Sequence, residues 1–397
     1  MAISFADCGV PSGFSATTLP AIDGRLERGR FTFGVATAQD DPEIRRMLRE
    51  TAFPGSVSLS FEREPDSLAA GEIEGDVHDI IVARERRTNR LAAIASRSSR
   101  ERFVNGRTAR VGYLGQLRVA AGFGGRRDLF SEGFGFCRSL HERDTAAMYL
   151  ASVIADNGAA RRLLERGLPG WPEFRLVDDL VTLAIPARDG VRRRASTVEI
   201  VSGALMDVSE MAAVLARNNA RYQFAPCWTG DDLMSPTRVR GLRPGDFLVA
   251  IRQGTIIGCA ALWDQRAFKQ VIVRGYSRGL GRWRTVMNAI GPLCGNPPLP
   301  AVGSQLAFAH LSHLAADDDD PDVVVSLVAA GQRAAHAAGL DYITLGAAAT
   351  SPLHDPVRRA FAHRSYASVL YVGFWTDGQP AADVLDGRPS HPEMAVL

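Results

Sequence analysis

Between residues 31 and 376 the hydrophobic positions switch between a period of two and a period near 3.6, which predicts alternating strands and helices. FTFGVAT (31–37) reads as a strand. Asp40 or Asp41 then caps a helix with Pro42 in its first turn and Ile44, Met47 and Leu48 at helical spacing. SVSLSFE (56–62) alternates as a strand, and 78–84 with 90–97 predict a hairpin across the polar turn 85–89. A long strand over 108–120 enters a glycine-rich turn (121–127) that opens a helix over 128–143. A strand at 148–155 follows, then a helix capped by Asn157 and ended by Gly167. The segment 174–186 is expected to close this unit as two short strands.

The second half repeats the plan loosely. STVEIVSG (196–203) reads as a strand before a helix over 207–222 with an Asp cap, and 246–265 forms a hairpin turning at Gln253-Gly254. A strand (304–315), a helix (320–339), a strand (341–348), a short helix and a last strand (365–375) complete it. The repeat lies in the order of elements and not in residue identity. The expected division is an arm (1–29), a first domain (30–186), a basic linker (187–197), a second domain (198–376) and a loose Pro-containing tail (377–397).

Composition narrows the class. The 397 residues are 46% apolar and 23% charged, with a net charge of +2, so the whole-chain field gives no reason to expect nucleic acid as a partner. Arg188, Arg192, Arg193 and Arg194 cluster in the linker, where solvation is the ordinary reading and a docking patch for an acidic partner the other. The five cysteines (Cys8, Cys137, Cys227, Cys259, Cys294) form no CxxC pair, and the eight histidines show no zinc spacing, so neither a disulfide framework nor a metal site is expected. No secretory leader and no membrane-spanning run is read, and the expected location is the cytoplasm.

The stretch YLGQLRVAAGFGGRR (113–127) carries the candidate chemistry. A strand entering a glycine-rich turn that opens a helix aims backbone N–H groups and the positive end of the helix dipole at one point, which suits a diphosphate. Arg126 and Arg127 add charge. Such a turn is equally often a plain tight connection. It is not a P-loop, since GxxxxGK[ST] is missing, and its place in mid-domain does not suit a Rossmann turn.

This stretch resembles motif A of the GCN5-related N-acetyltransferase (GNAT) superfamily, L-x-V-x-P-x-x-R-G-x-G. Leu117, Arg118 and Val119 match the strand end, and Gly122, Gly124, Gly125, Arg126 and Arg127 occupy the turn. Asn157, Ala160 and Leu163 are similar to the family's N-x-x-A-x-x-L helix. The resemblance covers about residues 31–186 well and 196–376 only through element order. It implies two tandem α/β GNAT folds, each a mixed, mostly antiparallel sheet flanked by helices. It implies that the fourth and fifth strands of the first fold splay around the pantetheine arm of acetyl-coenzyme A or another acyl-coenzyme A. The cofactor residues it implies are Leu117, Arg118, Val119, Gly122, Gly124, Gly125, Arg126, Arg127 and Asn157. The activity it implies is N-acyl transfer, with acetyl as the first expectation for the acyl group, to an amine on a small molecule or peptide, as in a tandem bacterial member of the family.

The pattern is also departed from. Gly124 stands where the family has Arg or Gln, and Leu164 where it often has a tyrosine acid. No catalytic acid or base can be named from the sequence. A non-catalytic acyl-coenzyme A-binding or regulatory protein is therefore a second reading, and an acyl carrier protein as donor, docked on the basic linker, a third. Tyr113 and Tyr149 are read as core or pocket lining, and Glu62, Asp76, His78 and Asp79 mostly as solvated edge residues. In the second half Asp317–Asp320 and Asp322 stand where a phosphate turn would lie and would repel one, while favouring a helix N-terminus. His310 and His313 are expected on opposite faces of a strand, one core and one exposed.

Overall fold

The period-two segments form fifteen strands in the computed structural model, which describes residues 25–188, 198–290 and 297–397. The first half runs β1 (Arg25–Arg28), β2 (Phe31–Val35), α1 (Asp41–Glu50), β3 (Val57–Glu62), α2 (Ser67–Gly71), β4 (Val77–Glu85), β5 (Leu91–Val104), β6 (Arg107–Val119), α3 (Arg127–His141), β7 (Met148–Ile154), α4 (Gly158–Leu164) and β8 (Glu173–Pro186). The second runs β9 (Glu199–Ser202), α5 (Val208–Asn219), α6 (Gly230–Met234), β10 (Phe247–Arg252), β11 (Thr255–Trp263), β12 (Gln270–Tyr276), α7 (Arg278–Ile290), β13 (Phe308–Ala316), α8 (Pro321–Ala337), β14 (Tyr342–Ala348), α9 (His354–Ala360), β15 (Arg364–Phe374) and α10 (Gln379–Asp383).

Thirteen strands form one mostly antiparallel sheet in the order β1-β2-β4-β5-β6-β7-β15-β8-β14-β13-β11-β10-β9. Reading outward from between β15 and β8, the sequence of partners is the same on both sides: β7 or β14, β6 or β13, β5 or β11, β4 or β10. The last strand of each half is exchanged. β15 lies between β7 and β8, and β8 lies between β15 and β14. β3 and β12 pair antiparallel outside the large sheet, from Val57↔Tyr276 to Glu62↔Gln270, and so tie the halves together a second time. Phe33, Leu129, Phe136 and Leu140 pack α3 onto the first half of the sheet. Val324, Leu327, Val328 and Ala335 pack α8 onto the second.

Two expectations are corrected. Residues 174–186 form one strand, not two. The acidic pair Asp178–Asp179 does not break it, because a register shift at Leu370/Tyr371 absorbs one residue while pairing continues on both sides. The C-terminal segment is not loose. Ala395 and Val396 are buried, Glu393 Oε2 accepts from the His313 amide at 2.7 Å, and Arg102 Nη1 donates to the Pro392 carbonyl at 2.7 Å. Proline there marks irregular backbone, which is a different property from lack of contact. Most of the linker, including Arg192–Arg194, lies outside the described residues.

Candidate functional site where two strands part

β6 and β7 run parallel and pair only over Val111–Tyr113 and Met148–Leu150. Beyond that point they separate. A bulge at the same place turns β6 aside: Gln116 and Leu117 together face the single residue Ala95, and Gln116 takes a φ of +51°. Gly112 is needed just before the separation, because a Cβ there would stand 2.2 Å from the Tyr149 ring. β13 and β14 repeat the geometry. They pair parallel over Phe308–His310 and Tyr342–Thr344, and His313 and Leu314 face Ala260 with His313 at φ +53°.

A cavity of about 1150 Å³ opens in the first gap and continues into the second half. One part lies between the first half of the sheet and α3, lined by Phe33, Ala93, Leu114, Leu129, Phe134 and Ala151. The other is lined by Lys269, Val273, Tyr276, Phe308, His310 and Thr344. A volume of this size suits an organic ligand of substantial length, and its apolar walls suit a hydrocarbon.

The residues singled out from the sequence divide between cavity and turn. Leu117, Arg118 and Asn157 line the cavity, as does Leu164. Leu117 is 42% exposed. The Arg118 guanidinium stands 4.5 Å from the Phe53 ring centroid, and burial beside Arg63 lowers its pKa to about 10. Asn157 caps α4, accepting from the Ala160 amide at 3.1 Å. Val119 pairs with Ala93 on β5 and does not line the cavity.

Gly122, Gly124, Gly125, Arg126 and Arg127 form the turn that opens α3. Phe123 anchors it, buried against Phe31 with its amide donating to Ala120. Gly122 and Gly125 take φ of +91° and +76°. Among the described residues, the amides of Gly122 and Gly124–Arg127 donate to no protein acceptor, and the three glycines and Arg127 are exposed. Arg126 is held by Asp128.

In the second half the equivalent corner is filled. Asp317 accepts from Arg217 and Asn218, Asp319 from Tyr222, and Asp320 caps α8 while pairing with Arg252. Neither His310 nor His313 is exposed, which corrects the expected division. His310 lines the cavity and bonds Thr344 at 3.0 Å, while His313 packs against Trp228 at 4.4 Å. The bulge at His313 interrupts the alternation on which the expectation rested.

Early-strand acids and histidine are also less solvated than expected. Glu62 is buried against Ser60 and Arg274, and His78 stands 3.5 Å from buried Glu74. Glu74, which sequence reasoning passed over, is the centre of a charged cluster. Arg63 donates to its Oε1 at 2.6 Å, Lys269 stands 3.4 Å from the same oxygen, and Gln116 of the bulge donates to it at 3.5 Å. The cations hold the Glu74 carboxyl well below its usual range in spite of its burial, which opposes them. Among the described residues no group of His, Cys, Asp and Glu is placed to hold a metal ion.

Solved structures share this architecture. Saccharomyces cerevisiae N-myristoyltransferase with bound myristoyl-CoA aligns over 90% of this chain and 85% of its own, at a TM-score of 0.55 and 12% identity. The same enzyme with myristoyl-CoA and inhibitors aligns over 91% and 82%, at 0.56 and 11%. The chain has the GNAT fold. A GCN5-related N-acetyltransferase from Anabaena variabilis shows a looser likeness, with a TM-score of 0.48 at 9% identity over 86% of this chain and 72% of its own. No protein-family profile matches the sequence, and no curated protein matches it. Within the GNAT fold the first half joins the parted strands and the bulge to an open turn. The second half keeps the parted strands and closes its turn with acids.

Proposed function

We propose that the protein is an N-acyltransferase that binds an acyl-coenzyme A in its first half and passes the acyl group to an amine acceptor reached through the second. The observation that carries this reading is that β6 and α3 bring together an open glycine turn between them, a gap between parallel strands, and an apolar cavity behind the gap. The unpaired amides of Gly122 and Gly124–Arg127 at the N-terminus of α3 suit the donor's diphosphate. The bulged backbone of Gln116–Arg118 offers donors to the pantetheine arm and the thioester oxygen. The cavity under α3 takes the acyl chain, and its length and aromatic walls favour a long chain over acetyl. The likeness to a myristoyl-CoA-bound enzyme is in keeping with that preference.

No thiol in the cavity suits a covalent acyl-enzyme. Burial pushes Cys137 up to about 12, so its thiolate is scarce at neutral pH. Direct attack by the amine fits better.

Calorimetry with coenzyme A, acetyl-coenzyme A and myristoyl-coenzyme A tests the reading. Binding is expected to strengthen with acyl length, and thiol release is expected when a mixture of amino acids and polyamines is added. Binding without release across that mixture would instead favour a non-catalytic acyl-coenzyme A-binding protein, for which Leu164 in place of a tyrosine is the supporting feature. Absence of binding by all three ligands would remove both readings.

A further inference from the structure

Of the 46 Lys and Arg residues in the chain, one is a lysine, Lys269. Elsewhere the cation is always a guanidinium, which stays protonated under all ordinary conditions. The one position that holds an amine is in the cavity wall, with only 15% of the side chain accessible. Its Nζ stands 3.4 Å from Glu74 Oε1, the oxygen to which Gln116 of the β6 bulge also donates. Lys269 therefore belongs to the second half, immediately before β12, yet reaches the place where the first half would present a thioester.

We propose that Lys269 is a catalytic residue of the acyl transfer, the group that takes the proton from the incoming acceptor ammonium, and that Glu74 is the positioning residue that holds it. The proposal rests on the N-acyltransferase reading above. In the first step the Lys269 amine removes one proton from the acceptor R–NH3+, giving R–NH2 and a lysine ammonium beside the Glu74 carboxylate. The freed lone pair forms the C–N bond at the thioester carbon, and the carbonyl π pair moves to oxygen. The oxygen pair then re-forms the carbonyl as the C–S bond breaks, and the thiolate leaves with the C–S pair and takes the second proton from the former amine. Lys269 returns its proton to solvent, so one amide, one coenzyme A thiol and one proton are produced.

The other titratable groups around it are poorer choices. His310 lines the same cavity, but burial drops it to about 3 and its ring bonds Thr344. Glu74 is held as a carboxylate and is a weak base toward an alkylammonium. Glu62 is taken by Arg274 and Ser60. The charged and titratable groups facing Lys269 are Arg63, from the segment after β3, Glu74, from the segment after α2, and His310 on β13, while His78 on β4 stands against the other oxygen of Glu74 and Tyr113 on β6 lines the same cavity. Burial and Arg63 outweigh Glu74 and bring the lysine to about 7, so the amine form is populated at neutral pH. An arginine in its place would keep the ion pair and lose the base.

The single lysine makes the test direct. Full-length protein grown with ε-13C lysine gives one side-chain resonance, assigned by its loss in Lys269→Arg. It is expected to titrate with a midpoint near 7, and kcat/KM for myristoyl-coenzyme A with the amine mixture is expected to rise with pH through the same midpoint. Lys269→Arg is expected to lose about 100-fold or more in that rate while binding myristoyl-coenzyme A as tightly as the wild type, and Lys269→Met is expected to do the same. A midpoint above 9, a Lys269→Arg variant with wild-type turnover, or mass spectrometry showing a stable acyl group on Lys269 would overturn the assignment. Absence of thiol release by the wild type with the whole mixture would count against the transferase reading itself, and this assignment falls with it.

Discussion

At the scale of single residues, the site depends on charges removed from water and matched closely. Glu74 is 1% exposed and faces Arg63, Lys269 and His78. Glu74→Ala leaves two buried cations without their anion and is expected to cost about 3–5 kcal/mol in urea unfolding. Glu74→Gln should also change the pH dependence. The folded state holds this carboxyl well below 4.5, so its stabilising contribution is complete above the unfolded value and fades as pH falls through the folded one. Stability below about pH 4.5 is therefore expected to fall less steeply in Glu74→Gln than in the wild type, as measured by denaturant midpoints across that range. Gly112→Ala places a methyl 2.2 Å from the Tyr149 ring, where β6 and β7 last touch. It is expected to destabilise by about 1–3 kcal/mol and to weaken acyl-coenzyme A binding, both readable by calorimetry.

At the scale of elements, the part of the cavity where we place the donor's acyl chain is made by α3 lying over the sheet with a small residue toward the gap. A Cβ at Gly133 would meet only the Phe33 ring, at 3.4 Å, so Gly133→Ala is expected to be tolerated, while Gly133→Leu projects into the cavity. Gly133→Leu is expected to lose myristoyl-coenzyme A binding by about tenfold or more, the scale of one misplaced apolar group of a few carbons, and to keep acetyl-coenzyme A binding, as titration calorimetry would show. The order of strands and helices around this cavity was legible from periodicity, and the turn from its glycines. The bulges were not, because Gln116 does not announce a positive φ and His313 stands within the strand run FAHLSHLAA, which holds no glycine or proline. Nor were β12 and α7: Leu280, Trp283, Val286, Met287 and Ile290 do stand at helical spacing, but Gly279 and Gly281 in the first turn obscure the helix. Lys269 had a signal in the sequence, its uniqueness, but uniqueness acquires meaning only beside Glu74, 195 positions away.

At the scale of the whole molecule, the two halves share strands and act as one folding unit. The sequence shows a repeat of elements but gives no sign that β15 belongs beside β7, because β7 (MYLASVI) and the second part of β15 (VLYVGF) are apolar on both faces and would accept either neighbour. A fragment ending at residue 188 would lack every partner of β8 and one edge of β7. It is expected to be insoluble or to lack dispersed amide resonances, whereas the full chain is expected to unfold in one transition by urea monitored with fluorescence.

The exchange of β8 and β15 has a consequence for synthesis. Met148–Ile154 leave the ribosome more than two hundred residues before Arg364–Phe374, the strand that covers them. During that interval the growing chain carries an uncovered hydrogen-bonding row beside the cavity, of the kind that recruits stray strands. The first half is thus complete only once a strand more than two hundred residues downstream has been made.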